Sequence, residues 1–361
     1  MRAAVMRNQQ LVVDSVAEPQ PGPGEVLVKT LACGICGSDL HMLKHAPRVV
    51  EQMRRAGAGA IMDPARDVVM GHEFCAEIVE HGPGCQHSLR AGTRVCSMPL
   101  ALRPEGPVTV GYSNALPGGY GELMVLNELL LLEVPNGLST EHAALTEPMA
   151  VGWHAVEKAC LTDEDVPLVL GCGPIGLAVI AALRIRGAQP IVAADFSPAR
   201  RRLAQQLGAD VVVDPAQVSP YESWSAAAQR PDAAVAPGDP LAFLLSPFRP
   251  AVIFECVGVP GVIQQVLEGA ARSARIVVVG VCMQSDHFEP LFGINKELNL
   301  QFVLGYTPQE FFQTLQHLAE GRINAAPLIT AKVGVAGVPQ AFDDLATPER
   351  HAKILVEPWR S

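Results

Sequence analysis

The chain contains no block of basic residues. Its 361 residues carry 27 Lys and Arg against 37 Asp and Glu, a formal net charge of −10. With a net negative charge and no extended Lys/Arg block, nucleic acid and an anionic membrane surface are not expected as partners. Charged residues make up only 18% and hydrophobic ones 49%, which excludes a disordered chain and leaves ample material for one large core or two. A basic leader running into an apolar signal core is missing, because the N-terminus opens directly into short apolar runs, Ala3 to Met6 and Leu11 to Val13. Only Val166 to Leu183 is apolar enough to imitate a membrane span, and Gly171, Gly173, Pro174 and Gly176 break it. It reads as a buried strand entering a buried helix. The nine cysteines are scattered and odd in number, so a disulfide framework is excluded and a reducing compartment is expected. Internal repeats and low-complexity tracts are also absent. Together these absences predict a soluble, cytoplasmic protein.

What is present divides the chain in two. Up to about residue 148, short β-branched runs (Glu25 to Thr30, Phe74 to Val79, Thr93 to Cys96) alternate with turns such as Gly22-Pro23-Gly24 and Pro117-Gly118-Gly119. That pattern predicts an irregular, mainly β domain. Beyond Glu147 strands alternate with helices. Val166–Leu170, Ile191–Asp195 and Val211–Val213 are strands; Ile175–Arg186 and Pro198–Leu207 are helices ending at Gly187 and Gly208. Val252–Phe254 and Arg275–Val279 extend the series, which predicts a parallel α/β sheet. After about residue 306 the mixed character returns, so the C-terminus should complete the first domain. Two segments look inserted: 45–67, with a helix-like stretch from Val49 to Arg55, and the Ala- and Pro-rich 219–250.

Gly171-Cys172-Gly173-Pro174-Ile175-Gly176 fits the dinucleotide fingerprint at a strand-to-helix junction. Its first glycine permits the tight turn, the second lets a pyrophosphate approach the backbone, and the third lets helix pack on strand. Unpaired N–H groups at the helix start would face the phosphates. Asp195, ending the next strand, would accept hydrogen bonds from the adenosine ribose and repel a ribose phosphate, favouring NAD over NADP. Arg200, Arg201 and Arg202 are either a solvated helix face with one guanidinium reaching the ribose, or a seat for a ribose phosphate.

Gly34-Ile35-Cys36-Gly37-Ser38-Asp39-Leu40-His41, followed by Gly71-His72-Glu73, offers a thiolate, an imidazole and a carboxylate to a zinc ion. Glu147, before Pro148, could complete the set. Catalytic zinc uses three such ligands and keeps a fourth position open. Singly, Cys36 reads as a buried thiol, His72 as a loop residue and Glu147 as a helix-start acid. In this order they point to a metal enzyme.

These motifs, with Gly118-Gly-Tyr-Gly-Glu122, occur in the order found in zinc-dependent medium-chain alcohol and polyol dehydrogenases, which the chain resembles over nearly its full length. The Glu147-Pro148 form resembles the sorbitol, threonine and butanediol dehydrogenase branch. The resemblance implies an α/β architecture: a GroES-like mainly-β catalytic domain (1–148 and 307–361) and a Rossmann doubly wound, parallel-sheet NAD-binding domain (149–306). It implies zinc on Cys36 and His72, with Glu73 and Glu147 competing as further ligands, and Asp39 orienting His72. Ser38 would take the substrate proton and pass it through the nicotinamide ribose to His41; local turn capping is the alternative for both. Glu73 is implied in catalysis as well. Gly171, Gly173, Pro174, Ile175, Gly176, Asp195, Arg200, Val257, Gly280, Val281 and Lys353 are implied at the cofactor, Lys353 on its phosphates unless it is a surface lysine.

Two departures qualify the likeness. Cys96 stands alone where many relatives carry four cysteines around a structural zinc, so one catalytic zinc and no second ion is expected. The stretch between Cys36 and His72 is longer than usual, and Gly37 replaces a basic residue of some relatives. The expected activity is hydride transfer between a secondary alcohol, diol or polyol, or the matching ketone, and NAD. The rivals are a zinc-free NADPH-dependent reductase and a non-enzymatic dinucleotide-binding protein. A homodimer or homotetramer is expected, with Leu298 to Leu304 as the candidate sheet edge.

Overall fold

The computed structural model describes residues 1–57, 62–104, 106–135, 137–230, 247–347 and 349–360. They form two compact units, Met1–Pro148 with Thr307–Ser361, and Met149–Tyr306.

The first unit opens with strands β1 (Arg2–Arg7), β2 (Gln10–Ser15) and β3 (Glu25–Gly34), then helix α1 (Gly37–Arg55). Strands β4 (Val68–Val69), β5 (Glu73–His81), β6 (Arg94–Ser97), β7 (Leu100–Arg103), β8 (Gly106–Thr109), β9 (Leu123–Asn127) and β10 (Leu131–Glu133) follow. Helix α2 (Thr140–Ala144) precedes α3 (Thr146–Lys158), on which the unit boundary falls. The main sheet runs β10-β6-β5-β3-β18-β17, with β9 also on β3. Its last two strands come from the C-terminus, β17 (Ile329–Val333) and β18 (Lys353–Val356), beside helices α9 (Pro308–Ala319) and α10 (Val338–Leu345). Strand β3 is central because eight of its ten residues are buried, the pattern of a strand covered on both faces.

The second unit alternates β11 (Val166–Leu170), α4 (Pro174–Ile185), β12 (Val192–Ala194), α5 (Pro198–Gln206), β13 (Val211–Val213) and α6 (Pro220–Ala228). It continues with β14 (Ala251–Glu255), α7 (Val262–Gly269), β15 (Arg275–Val278), α8 (Pro290–Lys296) and β16 (Asn299–Phe302). All pairings are parallel, in the order β13-β12-β11-β14-β15-β16. The order reverses between β11 and β14, the switch point at which doubly wound sheets open a crevice beyond their strand ends. Among the described residues no helix is long and apolar enough to cross a membrane.

The inserted segments differ from the sequence reading. The helix expected from Val49 begins instead at Gly37 and continues through Pro47. Asp39, Met42, Ala46 and Val49 are its buried residues; their three- and four-residue spacing makes one stripe across the proline, whose own position is exposed. Burial of that stripe outweighs the hydrogen bond that proline removes. Segment 219–250 contributes α6, capped by the Ser219 side chain on the Glu222 N–H; its residues 231–246, like Ala58 and Gly59 of the first insertion, lie outside the described residues.

Candidate active site

Strand β3 ends at Gly34 directly opposite Glu73, the first residue of β5. This register brings the segment Ile35–Cys36 beside His72–Glu73. Ligand atoms of Cys36, His72 and Glu73 all lie within 4.8 Å of one another. Sulfur, imidazole nitrogen and carboxylate oxygen at that spacing suit zinc's preferred donors.

Asp39 orders this cluster from the first turn of α1. Fully buried, it accepts from the Cys36 N–H at 3.1 Å, from Tyr112 Oη at 2.8 Å and from Tyr120 Oη at 2.6 Å. His72 Nδ1, also buried, faces Asp39 Oδ1 at 3.4 Å without an aligned hydrogen bond. Burial opposes charge on both groups, yet each supports the other. His72 and the two phenols hold Asp39 below the usual carboxylate range. Asp39 and Cys36 hold His72 well above the usual imidazole value. Burial and the Glu73 charge raise the Cys36 thiol. A divalent cation would reverse that shift, because a coordinating thiol gives up its proton. The donor set, and a histidine backed by a carboxylate as metal-bound imidazoles are, fit a zinc ion.

Lys353 stands elsewhere than the resemblance implies. It is completely buried in β18, and its Nζ donates to Glu73 Oε1 at 2.8 Å, Glu73 Oε2 at 2.6 Å and the Ile35 carbonyl at 3.1 Å. All three ammonium protons are used, so none is left for a cofactor phosphate. Strand β3 lies between β5 and β18, and a Cβ at Gly34 would collide with Glu73 Oε2. The glycine therefore opens the gap through which the carboxylate reaches the lysine. Glu147, in the first turn of α3, is outside the 4.8 Å group; its charge is nevertheless felt by Lys353.

Ser38 and His41 share the first turns of α1, both half-buried. Ser38 Oγ lies 2.9 Å from Tyr112 Oη. Burial, with Lys44 and His45 close by, lowers the His41 pKa. Tyr112 is the residue that sequence reading misses. Besides touching Ser38 and Asp39, its ring packs on the His72 imidazole, centroids 5.1 Å apart at 39°. Its only local signal is an aromatic beside Gly111, whereas Tyr120 lies inside a recognised motif.

The second unit gathers the cofactor candidates at the switch point. Gly171 has φ +86°, a left-handed conformation that favours glycine, and a Cβ there would come within 2.8 Å of Val257. At Gly173, the N-cap of α4, a Cβ would meet only the Arg200 guanidinium, at 3.9 Å. Pro174 is the first residue of α4 and Ile175 the next, while a Cβ on Gly176 would collide with the Gly171 carbonyl. The loop is thus closed where helix meets strand and open where a pyrophosphate would approach, which fits a dinucleotide. Asp195 Oδ2 accepts from the Cys172 N–H at 2.7 Å and Oδ1 from the Ser197 N–H at 2.8 Å, fixing the carboxylate beside this loop. Arg200 Nη1 approaches it at 4.0 Å. Arg201 folds back onto the Asp195 and Phe196 carbonyls and onto Asp214, leaving Arg202 as the exposed member of the trio. Gly280 and Val281 line a hollow with Glu255 and Gly258. Glu255, unremarked in the sequence, is buried and shapes the Val257–Gly258 turn by accepting both N–H groups at 2.7 and 2.8 Å.

Comparison with known proteins agrees with this arrangement in both units. Residues 22–136 match the alcohol dehydrogenase GroES-like domain, and residues 174–320 the zinc-binding dehydrogenase domain. The chain is 32% identical to (R,R)-butanediol dehydrogenase of Bacillus subtilis (strain 168), over 99% of this chain and all of that one. It is 28% identical to sorbitol dehydrogenase of Bos taurus, over 95% and 94% of the two chains. The crystal structure of 2R,3R-butanediol dehydrogenase from Bacillus subtilis superposes with a TM-score of 0.78 at 30% identity, covering 99% of each chain. With likeness of that length, and both halves matched by the family's own domains, the chain belongs to the zinc-type medium-chain alcohol dehydrogenases.

Proposed function

We propose that the protein is an NAD-dependent, single-zinc dehydrogenase that interconverts a vicinal diol or polyol and the matching ketone. The observation that carries this is the clustering of Cys36, His72 and Glu73 beneath a fully buried Asp39. The diol and polyol class is supported by the butanediol and sorbitol dehydrogenases among the relatives. When bound, zinc would polarise the substrate oxygen, and the nicotinamide would exchange a hydride with the carbinol carbon.

The chain's own residues supply the rest. Cys36, His72 and Glu73 would hold the metal, with Glu147 as the competing carboxylate and Lys353 balancing the Glu73 charge. Asp39 fixes the His72 ring. Ser38 accepts the substrate hydroxyl proton, and His41, its basicity lowered by burial, is the outlet toward solvent. Asp195 binds the adenosine ribose, and its negative charge disfavours a ribose phosphate. The protein works in the cytoplasm as a dimer or tetramer built on the β16 edge.

Metal analysis should find one zinc per chain. A panel of diols and polyols, beginning with (R,R)-2,3-butanediol and sorbitol, should reduce NAD faster than NADP. Cys36→Ala should abolish turnover and leave NADH binding, read by fluorescence, within about twofold. Turnover retained in Cys36→Ala would refute the zinc chemistry, and a preference for NADP would refute the Asp195 assignment.

A further inference from the structure

A serine hydroxyl has one proton, and here its direction is determined by its neighbour. Tyr112 Oη donates to Asp39 Oδ1 at 2.8 Å. The phenol has no second proton, so across its 2.9 Å contact with Ser38 Oγ the serine must donate. We propose that Tyr112 is a positioning residue for the reaction: before transfer it engages the Ser38 proton, so that the serine meets a substrate hydroxyl with its lone pairs. As Oγ accepts the substrate proton it releases its own toward the His41 outlet, while the phenol proton stays hydrogen-bonded to Asp39. This inference rests on the reading of Ser38 as the group that takes the substrate proton.

The placement of Tyr112 is built into the fold. Its ring packs on His72, and its loop is clamped two residues later by Asn114. That side chain accepts from the Asp63 N–H at 2.6 Å and donates to the Asp63 and Asp67 carbonyls at 3.1 and 3.2 Å. Asp63 and Asp67 end the segment that lengthens the stretch between Cys36 and His72. The insertion thereby acquires a role, since its closing turn holds the loop that orients Ser38.

The test is a double-mutant cycle on the zinc-loaded enzyme, with the alcohol turned over fastest in the panel above. Single-turnover oxidation keeps product release from masking the hydride step. Tyr112→Phe keeps the ring and removes only the hydroxyl. It should slow oxidation about tenfold with KM within about twofold, and leave zinc per chain and NADH affinity unchanged. Ser38→Ala should slow it further, and the double variant should match Ser38→Ala alone, because Tyr112 acts through that hydroxyl. Additive losses, zinc loss in Tyr112→Phe, or wild-type rate in Tyr112→Phe would each overturn the proposal while leaving the Ser38 role intact. Wild-type rate in Ser38→Ala would remove both. Should Tyr112→Phe fail to fold, Asn114→Ala loosens the same loop; its loss must likewise disappear in the Ser38→Ala background.

Discussion

Gly34 shows how one missing side chain can organise a buried charge pair. Glu73 and Lys353 belong to strands that never touch, because β3 lies between them. Only at Gly34 can the carboxylate pass over that strand, and there the fully buried Lys353 ammonium finds acceptors for all three of its protons. Breaking a buried pair by removing one partner costs about 3–5 kcal/mol, since the other charge is left uncompensated. Lys353→Met should therefore lower unfolding free energy by about that amount, and adding Glu73→Gln should recover a large part of it. Gly34→Ala should resemble Lys353→Met, because its methyl displaces the same carboxylate. Urea titrations of the zinc-free protein provide the measurement. A double variant no more stable than Lys353→Met would mean that the pair is not what holds the two strands' side chains together.

At the scale of elements, the turn from β11 into α4 separates folding from binding within six residues. Gly176 is required by packing, for a Cβ there would strike the Gly171 carbonyl. Gly173 is required by nothing in the protein, as its Cβ would reach only Arg200 at 3.9 Å. Gly173→Ala should keep the wild-type melting temperature yet weaken NADH binding at least tenfold, about 1.4 kcal/mol. Gly176→Ala should instead lower the melting temperature. Equal NADH affinity in Gly173→Ala would argue that no pyrophosphate approaches there. This turn was legible in the sequence because strand, glycines and helix are contiguous. So were β3, β5 and β11, whose apolar runs name them directly. Helix α1 was not: Pro47 reads locally as a stop, and only the buried stripe from Asp39 to Val49 shows that tertiary burial carries the helix past it. The site divides the same way. Cys36, His72 and Glu73 are short-range motifs brought together by one strand register. Tyr112 and the Glu73–Lys353 pair depend on contacts 74 and 280 residues apart in sequence, which no local pattern encodes.

At the scale of the molecule, the sheet of the second unit ends in two edge strands, β13 and β16, and the β16 edge carries the exposed apolar side chains. Strand β16 pairs with β15 and, among the described residues, with nothing beyond it. Phe302 is 64% and Leu304 85% exposed, and Leu291 and Ile294 of α8 are 62% and 70% exposed. An open strand edge with large apolar side chains beside it is the kind of surface that proteins cover. A twofold pairing of β16 with its counterpart in a second copy would satisfy the edge hydrogen bonds and bury these side chains in one self-complementary step. Sedimentation velocity should accordingly give a mass of two or four times the 38.3 kDa chain. Leu304→Lys with Phe302→Lys should shift the protein to smaller species, because four charges would then meet across a dimer axis with little water between them. Since the catalytic residues sit in the other unit, zinc content should stay at the wild-type level in that variant. Assembly unchanged by the two lysines would move the interface to another surface, and a wild-type monomer would show that β16 tolerates its open edge.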